Sequence, residues 1–249
     1  IMKQQEIIDW FKQHDIEDIE VIVPDMAGVA RGKMLLAEKF LEQPAMRLPE
    51  SVFVQTITGE YLHEPLINPA DRDILVKPDM DTLRVLPWAN KSTATVINDC
   101  YYEDGSAVDI SPRQVLKNIL KAYQEKNMVP IVAPELEFYL VKRNADPTVP
   151  LEPPIGRSGR QETVRQPFSI DALDEFEPVI EDIYQYADSM GIKIDTLEHE
   201  MGTAQLEINF EHGEAMQLCD HVIMFKRIVR EAAMRHNIYA TFMSKPMQV

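Results

Sequence analysis

Cysteine is nearly absent from this chain. Only Cys100 and Cys219 occur in 249 residues. Two thiols are too few for a disulfide framework and lack metal-type spacing, which fits a reducing compartment, although a single bridge between them stays open. Long apolar runs are missing too. No stretch reaches the roughly 18 apolar residues of a spanning helix, and the opening Ile1-Met2-Lys3-Gln4-Gln5-Glu6 lacks the apolar core of a signal peptide. The expectation is a soluble, unexported, cytoplasmic protein with no membrane partner. Positive charge is scarce: 25 Lys and Arg against 41 Asp and Glu give a formal net charge of −16. A chain this acidic repels a phosphate backbone, which removes nucleic acid as a partner class. Internal repeats and low-complexity tracts are lacking as well.

What is present is a globular α+β pattern, long enough for one large domain or two ordinary ones. Ile7, Ile8 and Phe11 make a short apolar helical stripe, and alternation at Ile19, Val21 and Val23 suits a half-buried strand. Asp25-Met26-Ala27-Gly28 turns the chain and Arg31 to Leu36 begins its return. Further strands are expected over 73–76, 83–86 and 94–98, with prolines at 44, 49, 65, 69 and 78 punctuating the connections. A boundary falls near Glu103-Asp104-Gly105, because Ser111-Pro112-Arg113-Gln114 supplies an N-cap, a proline at N1 and a capping-box glutamine. The domains are thus expected at 1–105 and 106–249.

In the second domain the first helix is expected to reach Asn127, and a strand carrying Glu135 and Glu137 follows. An irregular loop spans 143–167, a helix runs from Ile170 to Met190 with Gly191 as its stop, and a strand passes through Ile194. The last helix carries Ala215, Leu218, Val222, Phe225, Val229 and Ala232 at three- and four-residue spacing, so this face points to the core. Met216, Met224 and Met234 read as gap-fillers or surface residues of that helix. The loop holds Arg143, Arg157, Arg160 and Arg165, which makes it a cationic lid over phosphates or, more simply, a surface or packing loop.

Four glutamates carry the chemistry. In an extended strand residues i and i+2 share a face, so Glu135 and Glu137 stand side by side in an otherwise apolar run. Leu206, Ile208 and Phe210 alternate with Glu207 and Asn209, which puts Glu207 on the polar face of a second strand, with Glu200 one tight turn earlier. Adjacent carboxylates repel unless a cation sits between them, and hard oxygen ligands at this density suit Mg²⁺ or Mn²⁺ better than zinc. Solvation on an exposed sheet, or pairing with arginines, is the alternative. His199, next to Glu200, faces the other side of its strand and reads as a core or supporting group.

These residues resemble the glutamine synthetase superfamily, in order and spacing over nearly the whole chain. The resemblance rests on Asp25 to Lys33 (D-x-x-G-x-x-R-G-K), Leu83-Arg84-Val85-Leu86-Pro87-Trp88, Pro134 to Leu140, Glu200 to Asn209, Lys226, and Thr241-Phe242-Met243-Ser244-Lys245-Pro246. It implies an N-terminal β-grasp domain and the first part of a catalytic domain built on a curved antiparallel sheet, in ring-shaped homo-oligomers whose sites lie between subunits. It further implies that Glu137, Glu200 and Glu207 ligate the metal nearer glutamate and Glu135 the metal nearer the ATP phosphates. Asp195 and Phe210 fall at nucleotide-side positions. The implied reaction is an attack of the glutamate γ-carboxylate on ATP, then displacement of phosphate from γ-glutamyl phosphate by an amine.

Two departures from the family pattern matter. Ammonia-using members carry an acidic F-D-G-S-S loop, where this chain has Phe53-Val54-Gln55-Thr56-Ile57-Thr58-Gly59. Val54 cannot take a proton. With Thr56 in the same loop, the expected amine site is more apolar and suits a polyamine or alkylamine. The segment Leu151 to Gly159 likewise looks closest to the γ-glutamyl-polyamine branch. Ammonia-dependent glutamine synthetase is the second reading, and an inactive relative used for binding or structure the third. The other departure is that the family's later glutamate loop, histidine ligand and arginines do not occur before Val249. A protein of only this length is expected to bind metal poorly and not to turn over.

Overall fold

The computed structural model describes residues 3–61 and 70–247. His63, Pro65 and Pro69 lie outside them. In chain order the elements are α1 (Gln4–Gln13), β1 (Asp18–Pro24), β2 (Ala30–Leu36), α2 (Ala37–Glu42), β3 (Met46–Pro49), β4 (Asp73–Pro78), β5 (Arg84–Val85), β6 (Thr93–Tyr101), α3 (Pro112–Gln124), β7 (Ile131–Val132), β8 (Glu135–Lys142), α4 (Ile170–Asp174), α5 (Glu177–Ser189), β9 (Ile194–His199), β10 (Gln205–Phe210), β11 (Gly213–Glu214), α6 (Ala215–Arg235) and β12 (Ile238–Thr241). The chain forms two compact units, Ile1–Pro130 and Ile131–Val249.

The first unit is a mixed sheet in the order β2-β1-β6-β4-β3, with β5 also paired to β6. β1 runs parallel to β6 and antiparallel to β2. Ile19, Val21 and Val23 join Phe11, Phe40, Phe53, Ile74, Val76 and Val96 in one apolar core, so the alternation read in the sequence does face inward. The Asp25 turn has a physical cause. Its buried carboxylate accepts from the backbone N–H groups of Ala27 and Val29 and pairs with Arg31 Nε at 2.8 Å, while Gly28 takes a left-handed φ of 72°. Gly32 sits where β2 crosses β1 so closely that a Cβ would lie 2.0 Å from the Val21 carbonyl oxygen.

The helix that follows the expected boundary, α3, lies within the first compact unit. Arg113 of α3 is buried and reaches Asp99 and Asp79 at 2.7 Å each, and the units part at Pro130. A buried guanidinium needs those carboxylates, which fixes α3 to the strand and loop that carry them. Pro112 opens α3 as expected, but the capping box does not form: Ser111 makes no side-chain cap and Gln114 donates to Asn118. Both cysteines are free, and burial pushes the Cys100 thiol up to about 12.

In the second unit β12-β8-β10-β9 form an antiparallel sheet. One face carries Leu136, Phe138, Leu140, Leu206, Ile208 and Phe210, all buried, and Phe210 meets Phe225 of α6 edge-on at 5.1 Å. Burying each such side chain contributes about 1.5–3 kcal/mol, so this face fixes the register and sends the odd-numbered residues of β8 and β10 to the other side. The single helix expected over 170–190 is two, α4 and α5. Pro178 at the start of α5 has no N–H to continue the ladder, and Phe176 leaves helical geometry. Gly191 ends α5 with φ 71°, as expected. Met224 is a core residue of α6 and Met234 is exposed. Among the described residues no helix is long and apolar enough to cross a membrane.

The β1–β2 contact yields a test at a position that composition alone would pass over. Gly32→Ala, though solvent-exposed, is expected to destabilise the first unit by about 1–3 kcal/mol, because its Cβ meets backbone that cannot swing aside. Chemical denaturation monitored by Trp10 and Trp88 fluorescence would read it, and wild-type stability would refute the close approach.

Candidate metal centre

Strand β10 lies between β8 and β9, and the register brings acidic residues into a row across all three. Glu207 stands directly opposite Glu137 on β8 and Glu198 on β9, while Glu135 stands opposite Asn209 one step along. Glu200 follows β9 in the turn to β10. One carboxylate oxygen each from Glu198, Glu200 and Glu207 lies within 4.8 Å of the others. Like charges directly opposite on a sheet destabilise it. Among the described residues no salt bridge reaches any of these five glutamates, so pairing with arginine does not account for them.

Glu207 is the buried member at 8 % exposure. Burial raises its carboxyl above the usual range, the Asn209 hydrogen bond opposes this, and the charges of Glu198, Glu200 and Glu135 add to the rise. Asn209 Nδ2 bridges Thr196 Oγ1 at 3.0 Å and Glu207 Oε1 at 3.2 Å, leaving its own Oδ1 buried without a hydrogen-bond partner. Glu137 Oε2 accepts from Gln205 Nε2 at 2.7 Å, and Gln205 Oε1 accepts from the Gly202 N–H. Gly202 leaves room for these side chains, since a Cβ would lie 2.5 Å from the Tyr139 phenol and 2.7 Å from Gln205 Oε1 and would push them from this arrangement. Burial first, then Glu137 and Glu200, raise the Tyr139 phenol.

The donor set is entirely carboxylate oxygen and carries several negative charges. It fits a hard divalent cation such as Mg²⁺ or Mn²⁺. Of the four glutamates expected as ligands, Glu200 and Glu207 converge, Glu137 adjoins Glu207 across the strand pair, and Glu135 stands at the open end of the row. Glu198 is the residue that sequence reasoning missed. Its signal was available, because Glu198 and Glu200 repeat the i, i+2 spacing that singled out Glu135 and Glu137.

The remaining expected site residues lie elsewhere. Asp195 occupies the bulge where β9 shifts register between Thr196 and Ile194, and is exposed. Phe210 is buried on the opposite face of the sheet against Phe225, away from the carboxylates. Val54, expected to make a loop surface more apolar, is 1 % exposed within the first unit and lends that surface nothing in the single chain. Thr56 holds a tight turn, with its N–H to the Glu60 carbonyl and its own carbonyl 3.4 Å from Arg31 Nη2. His199 is fully buried, in line with a supporting role. Arg143 of the long loop contacts Asn237, and Arg157 pairs with Asp174 and Glu177 at the surface.

The family model described as "Glutamine synthetase, catalytic domain" matches residues 109–249. The chain belongs to the glutamine synthetase family. It is similar to the glutamine synthetase of Pyrococcus abyssi (32 % identity, 92 % of this chain and 47 % of the relative). It is also similar to the gamma-glutamylputrescine synthetase PuuA of Escherichia coli (31 %, 92 % and 50 %). A solved structure, "GmaS/ADP complex-Conformation 1", matches with a TM-score of 0.79 at 26 % identity, over 97 % of this chain and 52 % of that one. The chain therefore spans about half the length of the relatives it matches. The family match begins before α3, close to the boundary expected near 105, although α3 packs with the first unit.

The raised Glu207 carboxyl has a pH consequence. A carboxyl whose pKa is higher folded than unfolded opposes folding once ionised, and the penalty fades as pH falls below the unfolded value. Without metal, Glu207→Gln is expected to raise the melting temperature near neutral pH, with the gain vanishing by about pH 4. A lower melting temperature across the whole range would mean that the Glu207 charge is stabilising.

Proposed function

We propose that this chain is the metal-binding part of an ATP-dependent ligase joining the γ-carboxylate of glutamate to an amine through γ-glutamyl phosphate. The carboxylate row on β8, β9 and β10, in a chain of the glutamine synthetase family, carries this reading. Glu137, Glu200 and Glu207 would hold one divalent ion and Glu135 would contribute to a second. When bound, such ions neutralise the charge that builds up where a carboxylate meets the ATP phosphates. The strands keep the carboxylates close at all times, so little reorganisation is needed when substrate arrives. The first unit is read as the β-grasp domain of a cytoplasmic homo-oligomeric ring, and exposed Asp195 as a residue on the nucleotide side.

A polyamine or alkylamine is the favoured nucleophile, because Val54 stands where a proton-accepting carboxylate would serve ammonia. The similarity to the E. coli gamma-glutamylputrescine synthetase supports the same reading. The comparable similarity to the P. abyssi glutamine synthetase favours ammonia as the second.

Phosphate release from ATP, measured on the protein at its native length with Mg²⁺ and glutamate, separates the two. Stimulation by putrescine or isopropylamine and hardly by ammonium is the expected result; preference for ammonium would establish the second reading. Glu207→Gln should lower that release about 100-fold or more if the side chain is a ligand, on the order of what removing one preorganised group that stabilises transition-state charge costs. Undiminished turnover would remove Glu207 from the site.

A further inference from the structure

The turn between β9 and β10 carries Glu200, and its two ends are tied by a side chain from outside the sheet. Glu162, in the irregular segment 143–167, sends a nearly buried carboxylate (7 % exposed) under the turn. A single oxygen, Oε2, accepts from the Ala204 N–H at 2.7 Å and lies 3.0 Å from His199 Nε2. His199 closes the circuit, because its Nδ1 lies 2.8 Å from the Glu200 carbonyl oxygen. The arrangement spans residue 199 at the end of one strand and residue 204 at the start of the next, with Glu200 between them.

Two further observations argue that this contact sets geometry. Ala204 is held at φ 51°, a left-handed conformation that a residue with a Cβ adopts only when its surroundings enforce it. The other oxygen, Glu162 Oε1, is buried with no hydrogen-bond partner. A carboxylate withdrawn from water with half its acceptor capacity unused is a poor stabiliser. What it provides is a fixed distance between the turn and the strand ends.

We propose that Glu162 is a positioning residue for the divalent cation, acting through His199 and Ala204 to hold Glu200 against Glu207. This rests on the metal reading above. Groups that orient ligands in this way are worth roughly 10- to 100-fold in metal affinity.

Titration calorimetry with Mn²⁺ alone, on the protein at its native length, tests it. Glu162→Ala is expected to weaken Mn²⁺ binding roughly 10-fold. Glu162→Gln, whose amide oxygen still accepts from Ala204, should stay within about threefold of wild type, a modest loss beside that of Glu162→Ala. Arg157→Ala loosens the same segment where it meets Asp174 and Glu177, and should leave Mn²⁺ affinity unchanged. Wild-type affinity in Glu162→Ala overturns the proposal, as does an equal loss in Arg157→Ala, which would trace the effect to segment packing. If Glu162→Ala does not fold, Glu162→Asp substitutes for it: its shorter reach should weaken binding, and unchanged affinity is again fatal. Glu200→Gln separates the two levels. Retained Mn²⁺ binding in that variant means the metal reading itself has failed; loss there with normal binding in Glu162→Ala means only the positioning role has.

Discussion

The second unit is organised around an electrostatic conflict that its sheet cannot relieve by itself. Hydrophobic burial on one face of β8 and β10 fixes a register in which Glu207 must lie opposite Glu137, with Glu198 across the other ladder. Sliding a strand by one residue would separate these charges, but it would turn Leu136, Phe138, Leu206 and Ile208 out to the polar face. Each of those side chains is worth a few kcal/mol when buried, more than the repulsion between partly solvated carboxylates. The apolar face wins, and the acidic row is its consequence. A bound cation would convert the conflict into an attraction.

The surroundings hold that conflict in place. Gln205 and Asn209 direct amide N–H groups at Glu137 and Glu207, Gly202 makes room for Tyr139, and Glu162 ties the turn that carries Glu200. None of these contacts cancels the charge. They restrict where the oxygens can go, and a restricted set of oxygens is what distinguishes a coordination site from a patch of acidic surface.

Several parts of this arrangement were legible in the residues themselves. Period-two alternation identified β8 and β10 and put Glu135, Glu137 and Glu207 on the polar side. The spacing along α6 and the glycine stop after α5 were equally plain. Sequence pattern and chain contacts divide the molecule at different places: the helix start at Ser111-Pro112 lies close to where the family match begins, while Arg113 ties α3 to Asp79 and Asp99 of the first unit. The helix expected from Ile170 was interrupted because Pro178 has no N–H to give, a signal present in the sequence and outweighed there by amphipathic spacing.

Residue types and their faces are readable from the chain alone: which strands carry carboxylates, which side is apolar, and that positive charge is too scarce to neutralise the acidic residues. Those properties follow from side-chain chemistry and backbone periodicity, both of which are local. Which carboxylates meet depends on how distant segments pair and dock. Cross-strand register joined Glu198 to Glu207, the bulge at Asp195 took that residue out of line, and a loop tens of residues away supplied Glu162 to the turn. Strand pairing and loop docking depend on contacts between distant segments, so no pattern within one segment can reveal them.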